Sequence, residues 1–333
     1  MRKEMLLMTS KGRTSSVGGF LKKNTLILFL ISICIFISIV TPRFLYPQNL
    51  LNVMIQIAIN ALLATGLTFV ILTGGIDISV GSVAALAGII ATALVKQMPG
   101  ISIFGAVLLS IVVSIIVGGA CGGFNALLIT KFNVAPFIAT LGMLSIARGF
   151  AFVYTQSKPI FMLPDSFGWL GQGYACGIPV IVLIMILVMV VSHIVLDKTG
   201  FGRHVYAVGS NEDVARLNGI NVDKIKFIVY MLCSILSAFG GICLASRLST
   251  GQPAAATGYE MIAIAAVVMG GTSMSGGKGS ISNTFLGLMT IGVINNGLSL
   301  MQVSSYWQTI AMGFIIVVAV AFDQVKIGKK SVE

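Results

Sequence analysis

Apolar runs recur along the whole sequence, at about 24–41, 53–73, 82–98, 101–129, 134–155, 178–196, 225–247, 259–270, 281–301 and 305–322. A helix needs about 20 largely apolar residues to cross the hydrocarbon core of a bilayer, and most of these runs are that long. The fourth is long enough to tilt or to include re-entrant chain, and the eighth is short. A soluble domain carries roughly a quarter charged residues. Here 9% are charged, 56% are hydrophobic and the mean hydropathy is +1.01, so lipid is the only solvent that suits the surface. No long polar stretch remains for a second domain. The expectation is an all-α polytopic membrane protein of about ten transmembrane helices, one transmembrane domain over 1–333, in contact with membrane lipid.

The charges orient it. With the N-terminus inside, ten crossings put sixteen of the 21 Lys and Arg residues on the inner side. Only Arg43, Lys96, Lys158 and Arg247 fall outside, and Arg148 lies within the fifth run. Basic residues collect on the cytoplasmic side of membrane proteins. The reading is a bacterial inner-membrane protein with both termini cytoplasmic: tails 1–23 and 323–333 inside, loop 156–177 outside, loop 197–224 inside. The net charge of +11 is scattered between apolar runs and forms no continuous basic stripe, which argues against nucleic acid. The N-terminus resembles a signal peptide, but Val40-Thr41-Pro42-Arg43 offers no small-residue cleavage site, so the first run is read as an uncleaved helix. Of the five cysteines only Cys176 falls in an external loop, so no disulfide is expected.

A faint internal echo pairs Gly123, Val134, Thr140 and Met143 with Gly292, Val303, Thr309 and Met312 at a constant offset of 169. In that topology the fifth and tenth helices run in opposite directions, as an inverted repeat requires. Chance matching in apolar sequence is the other reading.

The inner loop 197–224 is the most polar part of the chain. Ser210 followed by Asp213 approximates a capping box, and Gly219 suits a left-handed helix end. Between them fits a short helix with Val214 and Leu217 on one face, and with Glu212 and Arg216 four apart and able to pair along it. Such a helix either docks into a groove on a partner or lies on the headgroups. Two glycine-rich segments, Gly74-Gly75-Ile76-Asp77-Ile78-Ser79-Val80-Gly81-Ser82 and Gly270-Gly271-Thr272-Ser273 through Gly279-Ser280, follow apolar runs. They read either as re-entrant turns beside a transport path or as ordinary turns at the membrane surface. Lys278 does not complete a phosphate loop. The position that needs a glycine holds Thr272 and the one that needs Ser or Thr holds Gly279, so ATP must be handled by another subunit.

Polar residues inside the apolar runs are few: Gln56, Asn60, Asn125, Arg148, Glu260, Asn295, Asn296 and Gln308. Amides with almost no ionisable groups suit an uncharged, hydroxyl-rich cargo. Asn60, Asp77, Asn125, Glu260, Asn295, Asn296 and Gln308 are the candidate path-lining residues; helix-to-helix fastening is the alternative for any one of them. Arg148 has a plain reading as an outward-snorkelling side chain. Gly118/Gly122 and Gly119/Gly123 form overlapping small-xxx-small pairs for close packing. No His-Glu-x-x-His and no paired catalytic carboxylates occur, so no enzyme, metal site or resident cofactor is expected.

Over about residues 45–325 the chain resembles the permease subunits of ribose-type ABC sugar importers. The likeness rests on Ile71-Leu72-Thr73-Gly74-Gly75-Ile76-Asp77-Ile78-Ser79-Val80-Gly81-Ser82, on Pro136-Phe137-Ile138-Ala139-Thr140-Leu141-Gly142, and on Gly209-Ser210-Asn211-Glu212 with Gly219-Ile220-Asn221-Val222. Gly258-Tyr259-Glu260, Gly270-Gly271-Thr272-Ser273 with Gly276-Gly277-Lys278-Gly279, and Asn295-Asn296-Gly297-Leu298 complete it, in order and spacing. The resemblance implies two permease copies around one path for a monosaccharide such as ribose or a related pentose or hexose. It also implies a periplasmic or lipid-anchored sugar-binding protein outside and an ABC-type ATPase inside that uses ATP and magnesium. By likeness, Ser210, Asn211, Glu212, Asp213, Val214, Arg216, Leu217 and Gly219 form the coupling segment that the ATPase grips. Met261-Ile262 stand where Leu-Asp often follows the Gly-Tyr-Glu triplet. The external loop reads Thr155-Gln156-Ser157-Lys158-Pro159, where a glycine is common. Both departures bear on the identity of the sugar or of the binding protein. The competing reading is an ion-coupled secondary transporter of a small polar solute, with Asp77 or Glu260 as the coupling acid.

Overall fold

The computed structural model describes residues 25–315 and residue 317. Both basic tails and the end of the tenth run lie outside the described residues. Each apolar run nucleates a helix. Helix α1 is Thr25–Val40, followed by a 3-10 turn; α2 is Pro47–Leu72, α3 Val80–Lys96, α4 Ile103–Lys131 and α5 Pro136–Thr155. A short α6, Asp165–Gln172, and a two-residue hairpin, β1 Tyr174–Ala175 with β2 Ile178–Pro179, precede α7, Val180–Lys198. Then come α8 (Gly200–Ser210), α9 (Glu212–Leu217), α10 (Val222–Leu248), α11 (Tyr259–Met269) and α12 (Ile281–Leu300). Residues 305–315 are again helical. Proline opens α2 and α5 at a position where its missing N–H costs nothing. Side chains of Ser102, Asn221 and Ser280 cap α4, α10 and α12. Helices α2, α4, α5, α7 and α10 are long and apolar enough to cross a membrane. The protein is an all-α, multi-pass membrane protein.

The centre of the bundle is the pair α2 and α10, which run antiparallel. Ile55 lies beside Arg247, Gly240 beside Leu63, and Gly66 against Cys233. A Cβ on Gly66 would stand 2.7 Å from the Cα of Cys233, so only glycine lets the backbones approach this far. Helices in lipid gain no hydrophobic energy from each other, so close van der Waals approach has to hold them. Helix α4 uses the same device. Cβ atoms on Gly118 and Gly122 would sit 2.5 Å from the Cα of Ile235 and 2.7 Å from the carbonyl oxygen of Tyr230. Gly119 and Gly123 reach only side-chain tips, at 3.9 Å. Of the two overlapping glycine pairs, the first makes the contact with α10.

Helix α3 does not begin at the membrane surface. Segment 73–79 turns back from the end of α2 as irregular chain along α10, where Gly75 meets Tyr230. There Ser79 accepts a hydrogen bond from Asn125 of α4. Segment 249–258 does the same from the other end, and Gly81 of α3 meets Ala256 and Glu260 of α11. Two helix N-termini therefore meet inside the bundle. This explains the short eighth run: α11 spans only part of the bundle, and the turns of segment 249–258 supply the rest.

The echo at offset 169 coincides with element boundaries. It carries the last residue of α4, Lys131, onto that of α12, Leu300, and the start of α5 onto 305. At the same offset Gly123 faces Phe227 of α10 and Gly292 packs on α2 at Ile57 and Val53. Because α2 and α10 are antiparallel, a two-fold relating them must lie across the helix axes. That is the geometry of an inverted repeat.

Helix α10 also separates the two ends of the molecule. Its first turns hold α9 through Lys226 and Glu212. Its last turns hold α6, with Ser246 Oγ donating to the Phe167 carbonyl and Gly171 N donating to Ser246 Oγ at 2.9 Å. At a rise of 1.5 Å per residue these ends are about 40 Å apart.

Candidate functional site

At one end three glycine-containing segments converge. Gly277 N donates to the Leu72 carbonyl at 2.9 Å, where α2 stops. Gly209 of α8 sits against that same carbonyl and 2.6 Å, counted from a Cβ built on it, from Gly277 N. A Cβ on Gly276 would stand 2.9 Å from Gly74 N, and Tyr206 Oη donates to the Gly279 carbonyl at 2.9 Å. Both glycine-rich segments, one following α2 and one following α11, are thus clamped onto α8. A movement of α8 has to move the ends of α2 and α11 with it.

Helix α9 projects from this platform. Its cap is Asn211, whose Oδ1 accepts from Val214 N at 3.0 Å. The expectation that Ser210 caps it is corrected: Ser210 closes α8 and its hydroxyl donates to the Tyr206 carbonyl at 2.8 Å. Asn competes for this role because its side-chain oxygen reaches the same orphan N–H. The helix ends as expected at Gly219 (φ +79°). Gly219 N donates to the Arg216 carbonyl at 3.0 Å, and Ile220 N to Ala215 at 3.0 Å. Glu212 and Arg216 do not pair with each other. Because α9 lies on the start of α10, Glu212 takes Lys226 and Arg216 takes Asp223 at 2.6 Å. That hydrogen bond raises the Arg216 guanidinium above its ordinary pKa. Ala215 is buried beneath the helix, Asp213 is exposed, and the outward face carries Val214 at 51% and Leu217 at 87% exposure. Four anchors thus hold a six-residue helix with its apolar side chains in solvent.

The second region is the interior. Asp77 is fully buried; its Oδ1 accepts from Ser79 N at 2.8 Å and Ser79 Oγ at 2.6 Å, at the threshold of α3. Asn125 Nδ2 donates to Ser79 Oγ at 3.2 Å. Asp77 and Asn125 therefore share one knot, centred on a serine that residue type alone does not single out. Glu260 Oε1 accepts from Gly258 N at 3.2 Å, and its other oxygen faces Gly81 at the opposing helix start. A carboxylate between two helix N-termini is electrostatically favoured. Arg148 does not snorkel: its Nη1 donates to the Pro253 and Ala255 carbonyls at 2.8 and 2.7 Å, which holds the chain leading into α11. Asn296 exchanges paired 2.9 Å hydrogen bonds with Asn49, and Gln308 Nε2 donates to the Val303 carbonyl at 2.9 Å. Asn60 and Asn295 come together instead in a small cavity with Gln56, Ile262 and Gly292.

The family described as "Branched-chain amino acid transport system / permease component" matches residues 49–320. The ribose import permease protein RbsC of Bacillus subtilis is 45% identical over 310 residues, covering 92% of this chain and 94% of RbsC. The protein of the same name from Escherichia coli K12 is 42% identical, covering 97% and 100%. The L-arabinose transport system permease protein AraH of E. coli is 34% identical, covering 87% and 86%. No solved structure matches significantly. The family match covers most of the chain and these identities run across nearly the whole of both chains, and the protein belongs to that permease family.

Proposed function

We propose that the protein is the membrane pore subunit of an ABC importer that carries a monosaccharide, such as ribose or a related pentose or hexose, into the cytoplasm. Its relatives' names specify ribose and arabinose. The observation that carries the reading is α9: an apolar pair, Val214 and Leu217, exposed on a helix that is held on the start of α10 and follows directly on α8, which packs on the end of α2 and on the segment after α11. Such a knob is what a separate ATPase needs in order to pull on the bundle. In this reading α8 and α9 are cytoplasmic, α6 and the 156–177 loop face the outside, and the protein lies in the bacterial inner membrane. Both termini are cytoplasmic.

Two copies enclose the path, and a periplasmic or lipid-anchored binding protein delivers the sugar to the α6 end. ATP and magnesium bind the partner ATPase, whose stroke reaches the interior through Gly209, Leu72 and Gly277. Asp77 and Glu260 hold helix starts rather than transported protons. The test is uptake of labelled ribose by proteoliposomes that hold the permease with its ATPase, in the presence of ribose-loaded binding protein. Uptake that requires ATP and survives a protonophore is expected. Uptake abolished by the protonophore and indifferent to ATP would instead establish an ion-coupled carrier.

A further inference from the structure

Helix α2 is buried on every face from Ala61 to Leu72. Its first half is different. Asn49, Asn52, Gln56 and Asn60 fall three, four and four residues apart, which places them along one face. Asn52 and Gln56 are exposed and Asn60 is half-buried; of the residues between them Val53, Ile57, Ala58 and Ile59 are buried and Met54 and Ile55 half-buried. An exposed amide stripe on an apolar helix is out of place against lipid, where polar side chains face a bundle interior or a water-filled cavity.

The stripe ends in the cavity shared with Asn295 of α12. Both side-chain oxygens there, Asn60 Oδ1 and Asn295 Oδ1, are shielded from solvent and lack a hydrogen-bond partner among the described residues. Leaving such an atom unsatisfied costs about 1–3 kcal/mol, so the site calls for a donor from outside the chain. Its other walls are apolar, Ile262 and Gly292 among them, and no charged group lines it. Asn60 lies thirteen residues into α2, about 20 Å from its start and so near mid-bundle. Ile262 belongs to the first turn of α11, so the cavity adjoins a half-helix start at the repeat interface, where transporters of inverted architecture bind their cargo.

We infer that Asn52, Gln56 and Asn60 of α2, with Asn295 of α12, form the wall of the translocation path that takes the hydroxyls of a neutral polyol. The notch at Asn60 and Asn295 is its innermost subsite. The inference rests on the pore reading above and adds which face forms the path. Hydroxyls donate to the two unpaired amide oxygens, the amide N–H groups donate back, and the absence of charge along the wall favours an uncharged solute. Asn125, Asn296 and Gln308 are fasteners and lie outside this wall.

The experiment uses the complete importer in proteoliposomes. On a background with the five native cysteines replaced, Gln56→Cys, Asn60→Cys and Asn295→Cys are exposed to a membrane-impermeant, water-soluble thiol reagent, alongside Ile116→Cys, on the outer face at the middle of α4, as the control. Labelling at 56, 60 and 295 and none at 116 is expected, with labelling at 60 and 295 slowed severalfold during turnover with ribose-loaded binding protein. In parallel, Asn60→Leu and Asn295→Leu should lower ribose flux at least tenfold while ATP hydrolysis stimulated by the binding protein persists. No labelling at all three positions, or wild-type flux in both Leu variants, overturns the inference. Labelling at all three in a wild-type complex that moves no ribose would refute the sugar reading and leave the water-lined wall in place.

Discussion

The backbone N–H of Gly277 donates to the carbonyl of Leu72 at 2.9 Å, which joins the turn after α11 to the last residue of α2. These residues are about 200 positions apart and belong to opposite halves of the repeat. Gly209 of α8 packs onto the same carbonyl. One backbone oxygen is therefore the meeting point of the segment open to a partner and of both halves of the bundle.

Gly209→Ala should uncouple the protein. A Cβ there would overlap the Leu72 carbonyl, and neither backbone has room to yield. Overpacking of this kind costs about 1–3 kcal/mol. Thermal unfolding of the detergent-solubilised permease should shift down by several degrees, and transport should fall with it. Gly142→Ala on α5, where an added Cβ meets nothing within 4 Å, is the matched control and should leave both unchanged.

Leu217→Asp should weaken the ATPase contact without touching the fold. Leu217 is 87% exposed, so the permease alone loses nothing. Burying such a side chain in a groove is worth roughly 1.5–3 kcal/mol, and its loss should lower recovery of the ATPase in a pull-down at least tenfold. Undiminished recovery with normal uptake would mean that α9 lies on the headgroups.

Asp77→Asn and Asp77→Leu should part company. The amide keeps an acceptor for Ser79 N and Ser79 Oγ, so ATP-driven uptake should persist within a few-fold of wild type. Leucine leaves both buried donors unmatched at about 1–3 kcal/mol for each group, and α3 loses the anchor at its start. Quantifying folded protein after membrane extraction distinguishes the two. Loss of uptake in well-folded Asp77→Asn would point to a proton-carrying role.

Cysteine introduced at position 213 on a cysteine-free background should resist a membrane-impermeant reagent in intact cells and react in inverted vesicles. A cysteine at 158 should behave in the opposite way. Labelling of 213 from outside would reverse the orientation that the basic residues imply.

The helices were legible because each needs only a local property. An apolar run of sufficient length has to become helix wherever water is absent to satisfy its backbone, and among the described residues every run is helical over most of its length. The end of α9 was legible for a similar reason: Gly219 at φ +79° is a local requirement. The cap was not: the spacing pointed to Ser210, and Asn211, adjacent and equally suited, takes the role because Ser210 closes α8.

What the sequence by itself determined is therefore the membrane class, the apolar helices and the permease family, all of which follow from residue type, period and order along the chain. The short helices α6 and α8 lie in segments read only as loops. Only the tertiary structure decided which polar residues act together. Asn125, Asn296 and Asn295 look alike in sequence, yet one joins Ser79, one pairs with Asn49, and one opens on a cavity with Asn60. The same holds for Glu212, which takes Lys226 rather than Arg216. A hydrogen bond or ion pair depends on a few ångströms of separation between distant elements, and that separation is set by glycine-to-backbone packing across the two halves. No local pattern records it.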